Sequence, residues 1–383
     1  MQKKEKVLHI ITVSFVINHF FGNQFLYLKE KFGNEYHLGC TPSKDFMEFS
    51  KQLGYVPFEV EITRSISPFK DLKAIIRIYR YIKKNNIDKV VGHTPKGGMV
   101  AMIASFFANV SERIYFRHGI VYETSTGFKR ILLVNIDRLT GFFATKVVCV
   151  SNSVKEISKK DKLNNPNKTI VLGLGTCNGI DTEDRFNPNK KDLEVINRLK
   201  NQYGITTEDK VVGYVGRLVK DKGIDDLIKA WKIIKMNCPT AKLLLVGPIE
   251  ERDSISDYSK QQIESDSSII FTDFVIDASP YFSLMDVFVL PTYREGFPTV
   301  SLEASSMNLP VVITKATGCT ESILENQTGL FITNEPKDIA DKIWCYLENG
   351  AIAHAHGKQG RLFVQENFEQ TKIWDLIVEK LKV

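Results

Sequence analysis

The chain contains 383 residues, a length at which one hydrophobic core usually gives way to two domains. Its composition, with 43% hydrophobic and 25% charged residues, 24 Gly and 13 Pro, excludes a disordered, collagenous or repeat-biased protein. The net charge of +6 is unevenly divided, because residues 1–175 carry 27 Lys and Arg against 14 Asp and Glu, whereas the remainder carries 24 against 31. This asymmetry predicts an anionic partner for the N-terminal half: nucleic acid, an acidic sugar or a membrane surface.

The sequence shows no targeting, membrane-spanning or metal-binding pattern. Residues 1–6 are charged, and the apolar runs at 7–13 and 99–108 are too short to cross a bilayer, so we expect neither a signal peptide nor a membrane span. The six cysteines are far apart and lack the spacing of a zinc site. We therefore expect no bound metal, reduced cysteines in cores or loops, and a cytoplasmic location.

The first half alternates short β-branched runs with longer amphipathic stretches, a pattern typical of parallel sheets crossed by helices. The clearest helix is predicted at 68–84, where Pro68 suits the first turn and Asp71 complements the positive end of the helix dipole. Strands are predicted at residues 7–13, 36–40, 56–62, 89–92, 113–117, 146–150 and 169–172.

A second alternating series begins after a stretch rich in Gly, Asn, Asp and Pro. That stretch, residues 176–204, is predicted to link two domains and to hold a polar helix at 192–202. Further strands are predicted at residues 210–215, 241–246, 268–272, 287–291, 311–314 and 330–332.

These patterns predict an α/β fold with two doubly wound, Rossmann-like domains. The N-terminal domain would span 1–175 and the C-terminal domain 205–364. An apolar stripe on the last helix, 372–381, predicts that the chain returns to the first domain, so that 365–383 complete it. Because ligands bind at the carboxyl ends of such strands, we expect the two domains to face each other across a cleft.

The most informative segment runs from Pro291 to residue 304 and contains two glutamates. It follows a predicted strand and opens a helix, so the backbone N–H groups at 296–299 lie where an anion is stabilised. Glu295 and Glu303 are eight positions apart and would flank one ligand at two points, which suits hydroxyl recognition. A strand, loop and helix with two glutamates also arises by chance.

A second segment, residues 215–223, follows another strand and precedes another helix. Gly216 lets the chain leave the strand, and Arg217 and Lys222 can reach over the same sheet edge. Two cations held there would stabilise a diphosphate, the arginine through a planar fork and the lysine as a point charge. The alternative is a solvated basic loop, which is the more plausible role for Lys220.

Together these two segments resemble the family 4 retaining glycosyltransferases of the GT-B fold. The resemblance rests on the Glu-x7-Glu pattern at Glu295 and Glu303 and on the Gly-Arg-x4-Lys-Gly pattern at 216–223. It extends over nearly the whole chain through further segments, which are His93-Thr-Pro-Lys96-Gly-Gly, Arg117-His118-Gly119, residues 150–153 and residues 177–181.

The resemblance implies transfer of a hexose or N-acetylhexosamine from a UDP-sugar with retention at the anomeric carbon. Similar proteins often act on polyprenyl-diphosphate-linked sugars at the inner face of a bacterial membrane, where they build surface polysaccharide or other glycans. It therefore implies a nucleotide sugar and a lipid-linked or glycan acceptor as partners, with an anionic membrane surface as a possible peripheral contact.

The resemblance also implies roles for single residues. Arg217 and Lys222 would bind the diphosphate, Glu303 the ribose, Glu295 the donor sugar, and His118 would lie at the reacting centre; of these, His118, Glu295, Arg217 and Lys222 form the catalytic set. The other implied donor contacts are Gly22, Gly216, Phe274, Val275, Gly296, Phe297, Pro298 and Thr299. The loop after the first strand lacks the Gly-Gly pair of many members, and Gly22 is its nearest substitute.

Weaker signals concern the acceptor. His93 and Lys96 lie in a loop that leads into a helix, where an anion could be received, and Arg64 could join them. They could equally be ordinary turn residues. The basic stretches 77–84 and 155–162 are solvated faces or contacts for anionic lipid headgroups.

The chemistry and the rival functions can be weighed from the residues. Breaking a glycosyl–phosphate bond leaves charge on a diphosphate, and because the chain has no Asp-x-Asp pair to hold a metal, we expect a metal-independent enzyme without a cofactor. We find no residue to nominate as a nucleophile, so front-face transfer is the preferred hypothesis.

Three alternatives remain. A GT-B-shaped UDP-sugar epimerase would isomerise the donor without an acceptor. A dinucleotide-dependent oxidoreductase would need a Gly-x-Gly-x-x-Gly pattern after a strand, and no predicted strand is followed by one. A non-enzymatic binder of nucleic acid or another anionic polymer lacks a recognisable module, and a basic acceptor face makes a nucleic-acid partner unnecessary.

Overall fold

The structure, a computed structural model, describes residues 4–383 apart from the side chain of Arg252; the first three residues of the charged start lie outside this range. The chain forms two compact units. The N-terminal unit runs to Gly179 and includes Thr371–Val383, and the C-terminal unit is Ile180–Gln370. Both units are α/β, as the sequence predicts.

The N-terminal unit contains a sheet of seven parallel strands in the order β3-β2-β1-β4-β5-β6-β7. Its elements are β1 (Lys6–Ile10), α1 (Ile17–Phe20), α2 (Gln24–Phe32), β2 (Glu35–Cys40), α3 (Lys44–Leu53), β3 (Val56–Glu59), α4 (Pro68–Asn85), β4 (Lys89–His93), α5 (Pro95–Phe107), β5 (Glu112–Arg117), α6 (Gly127–Phe143), β6 (Lys146–Cys149), α7 (Asn152–Lys160) and β7 (Thr169–Ile170). Short 3-10 turns lie at Ser14–Val16 and Pro166–Lys168.

The C-terminal unit contains a sheet of six parallel strands in the order β10-β9-β8-β11-β12-β13. Its elements are α8 (Leu193–Gln202), β8 (Lys210–Val215), α9 (Ile224–Asn237), β9 (Ala241–Val246), α10 (Asp257–Ser265), β10 (Ile269–Phe271), α11 (Ser279–Phe282), β11 (Val287–Leu290), α12 (Thr299–Ser306), β12 (Val311–Thr314), β13 (Gly329–Ile332), α13 (Pro336–Glu348) and α14 (Gly350–Asn367). Short 3-10 turns lie at Lys220–Lys222 and Glu251–Asp253.

The last helix, α15 (Gln370–Leu381), belongs to the N-terminal unit from Thr371 onward, so the chain returns to its first unit. Its Trp374 is buried and donates Nε1–H to Asn178 Oδ1 at 2.8 Å. The same indole ring lies 5.1 Å from the ring of Tyr27. These contacts fix the helix against residues from both ends of that unit.

Helix α4 shows how local sequence produces this packing. Pro68 begins the helix, and Asn86 ends it in a left-handed conformation with φ of 52°. Ala74, Ile78 and Ile82 are buried at helical spacing, which turns one stripe of the helix toward the core. The remaining surface of α4 stays exposed and carries most of its charge.

Several predicted strands are longer than the observed ones. β1 ends at Ile10, β3 at Glu59, and β7 contains only two residues. In the first two cases the apolar run continues into a buried loop, since Ile11 and Val60 are fully buried beyond the strand ends. A hydrophobic run reports burial, and only part of it forms the hydrogen-bonded ladder.

Two further expectations concern membranes and cysteines. Within residues 4–383, no helix combines the length and the apolar character needed to cross a bilayer. All six cysteines are free; Cys238 and Cys345 are half-buried and the others are buried.

The order of strands reverses once in each sheet, between β1 and β4 and between β8 and β11. Ligands of doubly wound sheets bind at the carboxyl ends of the strands, beside such a reversal. The segments singled out in the sequence follow these strands: His93 ends β4, while the loops 216–223 and 291–298 follow β8 and β11. The fold therefore gives each unit one candidate site edge.

Gly223 offers a test of this packing, because it has both a left-handed backbone and a close neighbour. Its φ is 70°, and a Cβ added there would lie 1.9 Å from the carbonyl oxygen of Pro291, whereas Gly204, with φ of 59°, has open space around it. We expect Gly204→Ala to lower the free energy of unfolding by about 1 kcal/mol through backbone strain alone. Gly223→Ala should cost about 3 kcal/mol, since overpacking is added.

Urea unfolding of the two variants measures this difference. Equal losses in the two variants would contradict the close approach of Gly223 to Pro291.

Candidate active site

The loop after β8 is shaped by its two end glycines. Gly216 leaves the strand with φ of 149°, and a Cβ there would lie 2.9 Å from the hydroxyl of Tyr214. That hydroxyl donates to the carbonyl of Arg217 at 2.8 Å and so fixes the first turn. Lys220–Lys222 then form a 3-10 turn, which Gly223 ends as α9 begins. The loop is thereby held against the carbonyl of Pro291, at the start of the loop after β11.

Both cations of this loop are paired with carboxylates. Lys222 donates from Nζ to Glu295 Oε1, and both side chains are mostly buried. Arg217 donates to Glu250 Oε2 at 2.7 Å, with half of its side chain exposed. The structure therefore brings Lys222 and Glu295 together as neighbours, and it places Arg217 beside a carboxylate that the sequence did not single out.

The loop after β11 leads into the N-terminus of α12. Pro298 precedes the helix and supplies no side-chain cap for its first N–H groups. The backbone N–H of Glu295 donates to the carbonyl of Thr317 at 3.0 Å. Gly318 has φ of 79°, and a Cβ added to it would lie 2.4 Å from the carbonyl oxygen of Gly296. The loop after β12 thus packs against the segment 295–298 and holds it in place. The N-terminus of α12 lies at the same edge of the sheet.

Glu303 lies within α12 and has an altered acidity. Burial raises the pKa of Glu303 to about 7, against a smaller lowering effect of the Arg185 charge. The residue as a whole is half-buried. Arg185 itself is bonded to Asp277 at 2.9 Å. A carboxyl that changes protonation near neutral pH suits hydrogen bonding to hydroxyl groups.

The residues expected near a nucleobase lie after β10, two strands from β8. Phe274 is 71% exposed, and Val275 is half-buried. An exposed aromatic ring at the carboxyl end of this sheet offers a flat apolar surface to a base.

In the N-terminal unit, three histidines form a row at the sheet edge. His118 Nε2 lies 3.0 Å from His93 Nδ1, and His93 Nε2 lies 3.1 Å from His9 Nδ1. The ring of Phe20 stacks on His118, with the centroids 4.1 Å apart. Burial lowers the pKa of His118 to about 3, so the ring is neutral at physiological pH. His93 is buried, and both its ring nitrogens are used inside the row.

The other residues predicted for this unit lie around the same edge. Gly22 forms the turn between α1 and α2 with φ of 47°. Lys96 is paired with Asp71, and both side chains are mostly buried. Arg64 is exposed, with its guanidinium 4.9 Å from the ring centre of Phe15. Of the three residues predicted for the acceptor, Arg64 therefore has the most accessible charge.

Arg117, which precedes His118, is an anchor that the sequence did not reveal as one. Its side chain is fully buried and bonds Asp137 Oδ1 at 2.9 Å, Ser158 Oγ at 2.6 Å and Asn164 Oδ1 at 2.8 Å. Burial opposes its charge, but Asp137 outweighs this effect and raises the pKa of Arg117. A charge so fully satisfied fixes the end of β5, and with it the position of His118.

Sequence reasoning missed His9, Phe20 and Glu250. The signal for His9 was a histidine inside the apolar run of the first strand. Phe20 is one of several phenylalanines after the first strand and belongs to no motif, and Glu250 follows β9 in a loop without a motif. Their roles become visible only when the strand order places β1 beside β4 and β9 beside β8.

Comparison with known proteins identifies two family matches. Residues 195–363 match the family described as glycosyl transferases group 1, and residues 28–151 match the glycosyl transferase 4-like family. The capsular polysaccharide biosynthesis glycosyltransferase CapM of Staphylococcus aureus is 32% identical over 97% of this chain and 96% of its own. The UDP-Gal:alpha-D-GlcNAc-diphosphoundecaprenol alpha-1,3-galactosyltransferase of Escherichia coli is 30% identical over 72% of this chain and 70% of its own.

Solved structures share the fold. Anabaena HepE in complex with UDP-glucose superposes with a TM-score of 0.80 at 22% identity and covers 98% of this chain and 99% of its own. A putative UDP-N-acetylglucosamine 2-epimerase from Listeria monocytogenes gives a TM-score of 0.66 at 15% identity, over 99% of this chain and 97% of its own. Such distant likenesses establish the fold alone. The sequence matches go further, and they show that this chain belongs to the family 4-like, group 1 glycosyltransferases of the GT-B fold.

Proposed function

We propose that this protein is a retaining glycosyltransferase that moves a hexose or N-acetylhexosamine from a UDP-sugar to a polyprenyl-diphosphate-linked glycan in bacterial polysaccharide synthesis. The observation that carries the proposal is the meeting of Lys222, Glu295 and the α12 N-terminus at one sheet edge. Two relatives support this proposal by their names. The name of the Escherichia coli relative includes UDP-Gal and diphosphoundecaprenol, which supports the donor and the lipid-linked acceptor, and that of Staphylococcus aureus CapM supports polysaccharide synthesis.

The site is suited to a diphosphate leaving group. In the free site each cation is held by one carboxylate, Arg217 by Glu250 and Lys222 by Glu295. A bound diphosphate would offer several charged oxygens to both cations and to the N–H groups that open α12. Each well-placed donor is worth about 3 kcal/mol as charge develops on the leaving group. Glu295, released from Lys222, would then accept hydrogen bonds from hydroxyl groups of the donor sugar. Glu303 would accept hydrogen bonds from those of the ribose.

The transfer itself proceeds at the front face of the sugar. The acceptor oxygen forms its bond to the anomeric carbon on the side from which the diphosphate departs, and the acceptor proton passes to a phosphate oxygen. The carbon keeps its configuration, and no enzyme nucleophile is needed. Protein cations carry the stabilisation of charge, so the proposed reaction uses neither a metal nor a cofactor and should persist in the presence of EDTA.

Substitution of Lys222 tests the donor site against a matched control two residues away. Lys220 belongs to the same 3-10 turn but is exposed. We expect Lys222→Gln to weaken UDP binding by about tenfold to a hundredfold, because one charge-assisted contact to phosphate is lost. Lys220→Gln should stay within about twofold of the parent. Isothermal titration with UDP gives both values, and a thermal-shift screen of UDP-, GDP- and ADP-sugars identifies the donor.

Equal affinities in the two variants would remove Lys222 from the diphosphate site. Isomerisation of the donor in the absence of any acceptor would favour an epimerase instead.

The membrane partner has a specific candidate surface, which we call the α4–α6 rim. Helices α4 and α6 both pack against α5 on one side of the N-terminal sheet, and their first turns lie at its carboxyl edge. There Phe69 is 91% exposed and Phe128 is 79% exposed. The rim also contains the exposed residues Leu72, Ile131, Lys70, Lys73, Lys129 and Arg130.

Exposed apolar side chains among cations are what an anionic lipid surface binds. Aromatic and leucine side chains insert at the headgroup level, while each nearby Lys or Arg adds about 1 kcal/mol of attraction. On α4 the most exposed apolar residues, Phe69 and Leu72, lie ahead of the basic stretch 77–84, in which the exposed apolar side chain is Tyr79 at 37%; the rim therefore combines both features more strongly than that stretch. A lipid-linked acceptor would then meet the protein at the same edge as His118.

Vesicle flotation tests the rim. We expect the double variant Phe69→Ser and Phe128→Ser to bind phosphatidylglycerol-containing vesicles at least about tenfold more weakly than the parent, since two apolar insertions are lost. Phe142→Ser is the matched control, because Phe142 is 68% exposed at the opposite end of α6. Equal binding of the variants, or no binding of the parent at low salt, would contradict the rim as a membrane contact.

A further inference from the structure

The row formed by His9, His93 and His118 is more than a buried cluster, because it is continuous. The three residues come from β1, from the end of β4 and from the turn after β5, which are adjacent strands in the sheet. Each contact joins one ring nitrogen to one ring nitrogen, at 3.1 Å and 3.0 Å. The inner end at His9 is enclosed by Phe21 and Phe25, whose rings lie 5.4 Å and 5.0 Å from it.

All three rings are neutral at physiological pH. Burial lowers the pKa of His9 and of His118 to about 3 and that of His93 well below its ordinary value. A neutral imidazole has one N–H and one bare nitrogen. Each of the two contacts therefore holds a single hydrogen, and the whole row has only two consistent arrangements, with every hydrogen on Nδ1 or every hydrogen on Nε2.

The inner end of the row distinguishes these arrangements. His9 Nε2 is buried and has no hydrogen-bond partner among residues 4–383. If the hydrogens were on Nε2, this atom would be a buried, unpaired N–H; if they are on Nδ1, it is a bare acceptor. Orphaned buried N–H groups are rarer than under-satisfied acceptors, because the donor loses its only hydrogen bond. The hydrogens are therefore on Nδ1 of all three rings. His9 donates to His93, and His93 donates to His118.

We propose that His93 and His9 are positioning residues that hold His118 as the Nδ1–H tautomer, so that it presents a neutral hydrogen-bond donor to an oxygen of the bound donor sugar. The sugar contact rests on the proposed function; the tautomer does not. Within the described part of the chain, the hydrogen bond of His118 is made through Nε2, which leaves Nδ1 for a ligand. The stacked ring of Phe20 fixes the plane in which that hydrogen points.

This assignment gives His93 a role different from direct contact with the acceptor. The side chain is 3% exposed, so a substrate reaches it only through His118. A neutral N–H donor also differs from an imidazolium, because it bonds a hydroxyl oxygen of the sugar without placing a positive charge beside the anomeric carbon, which becomes cationic during transfer.

Nitrogen NMR of the whole, ligand-free protein tests the tautomer directly. The chain has only seven histidines, so ¹⁵N-histidine labelling with long-range ¹H–¹⁵N correlation near neutral pH resolves each ring. We expect the His118 pattern of a neutral ring with its proton on Nδ1. A proton on Nε2, or a charged ring, would overturn the proposal whatever the protein transfers.

Two substitutions at His93 test whether the row sets this state. His93→Phe keeps the ring but removes both nitrogens, and we expect His118 to change to a mixture of tautomers. His93→Asn keeps an N–H close to the position of Nδ1, so it should restore the Nδ1–H pattern at His118. His354→Asn, at an exposed position of α14, is the control for loss of a histidine. An unchanged His118 pattern in His93→Phe would show that the row does not set the tautomer.

Kinetics separate this proposal from the donor assignment. We expect His93→Phe to lower kcat for the donor by at least about tenfold relative to the parent, and His93→Asn to give a kcat between those of His93→Phe and the parent. The Kd for UDP should stay within about twofold in both variants. Loss of UDP affinity in His93→Phe would contradict a role confined to the sugar. Absence of UDP binding in the parent would refute the proposed function but leave the NMR result to judge the row.

Discussion

The C-terminal site depends on the contact of Gly223 with the carbonyl of Pro291. This contact joins the loops that follow β8 and β11, the two strands at which the order of the sheet reverses. A second close approach, between Gly318 and Gly296, adds the loop after β12. Only residues without a Cβ, in left-handed backbone conformations, allow loops to meet so closely. Lys222 and Glu295 meet as a result, and the N-terminus of α12 is held beside them.

The charges at this edge act locally. Residues 176–383 carry an excess of acidic groups, yet the proposed ligand is itself an anion. The conflict disappears when the individual ion pairs are considered, because the carboxylates of Glu250 and Glu295 hold the two cations in place. In the proposed function, a diphosphate takes the place of these carboxylates. A paired cation is kept in position and partly desolvated, which lowers the cost of ordering it when the ligand arrives. The positive excess of the N-terminal half lies elsewhere and includes the α4–α6 rim.

The sequence was sufficient for the fold class and for the residues of each motif. Parallel strands alternating with helices, and cations and carboxylates placed after strands, follow from local patterns. The pairing of Lys222 with Glu295 did not follow, because it requires the order of strands across a sheet. The row of histidines depends on the same information: its members are distant in sequence and meet because β1, β4 and β5 are neighbours. Burial of Arg117 was also invisible, since its partners Asp137, Ser158 and Asn164 come from three later segments.

The most direct measurement of the central claim is the configuration of the product made with a simple alcohol. The protein is incubated with the UDP-sugar that the screen selects and with methanol, and NMR records the anomeric proton of the methyl glycoside, which cannot mutarotate. The account predicts release of UDP and a glycoside with the α configuration of the donor. A β-glycoside would contradict front-face transfer, and a glycoside formed only from another nucleotide sugar would contradict the UDP donor.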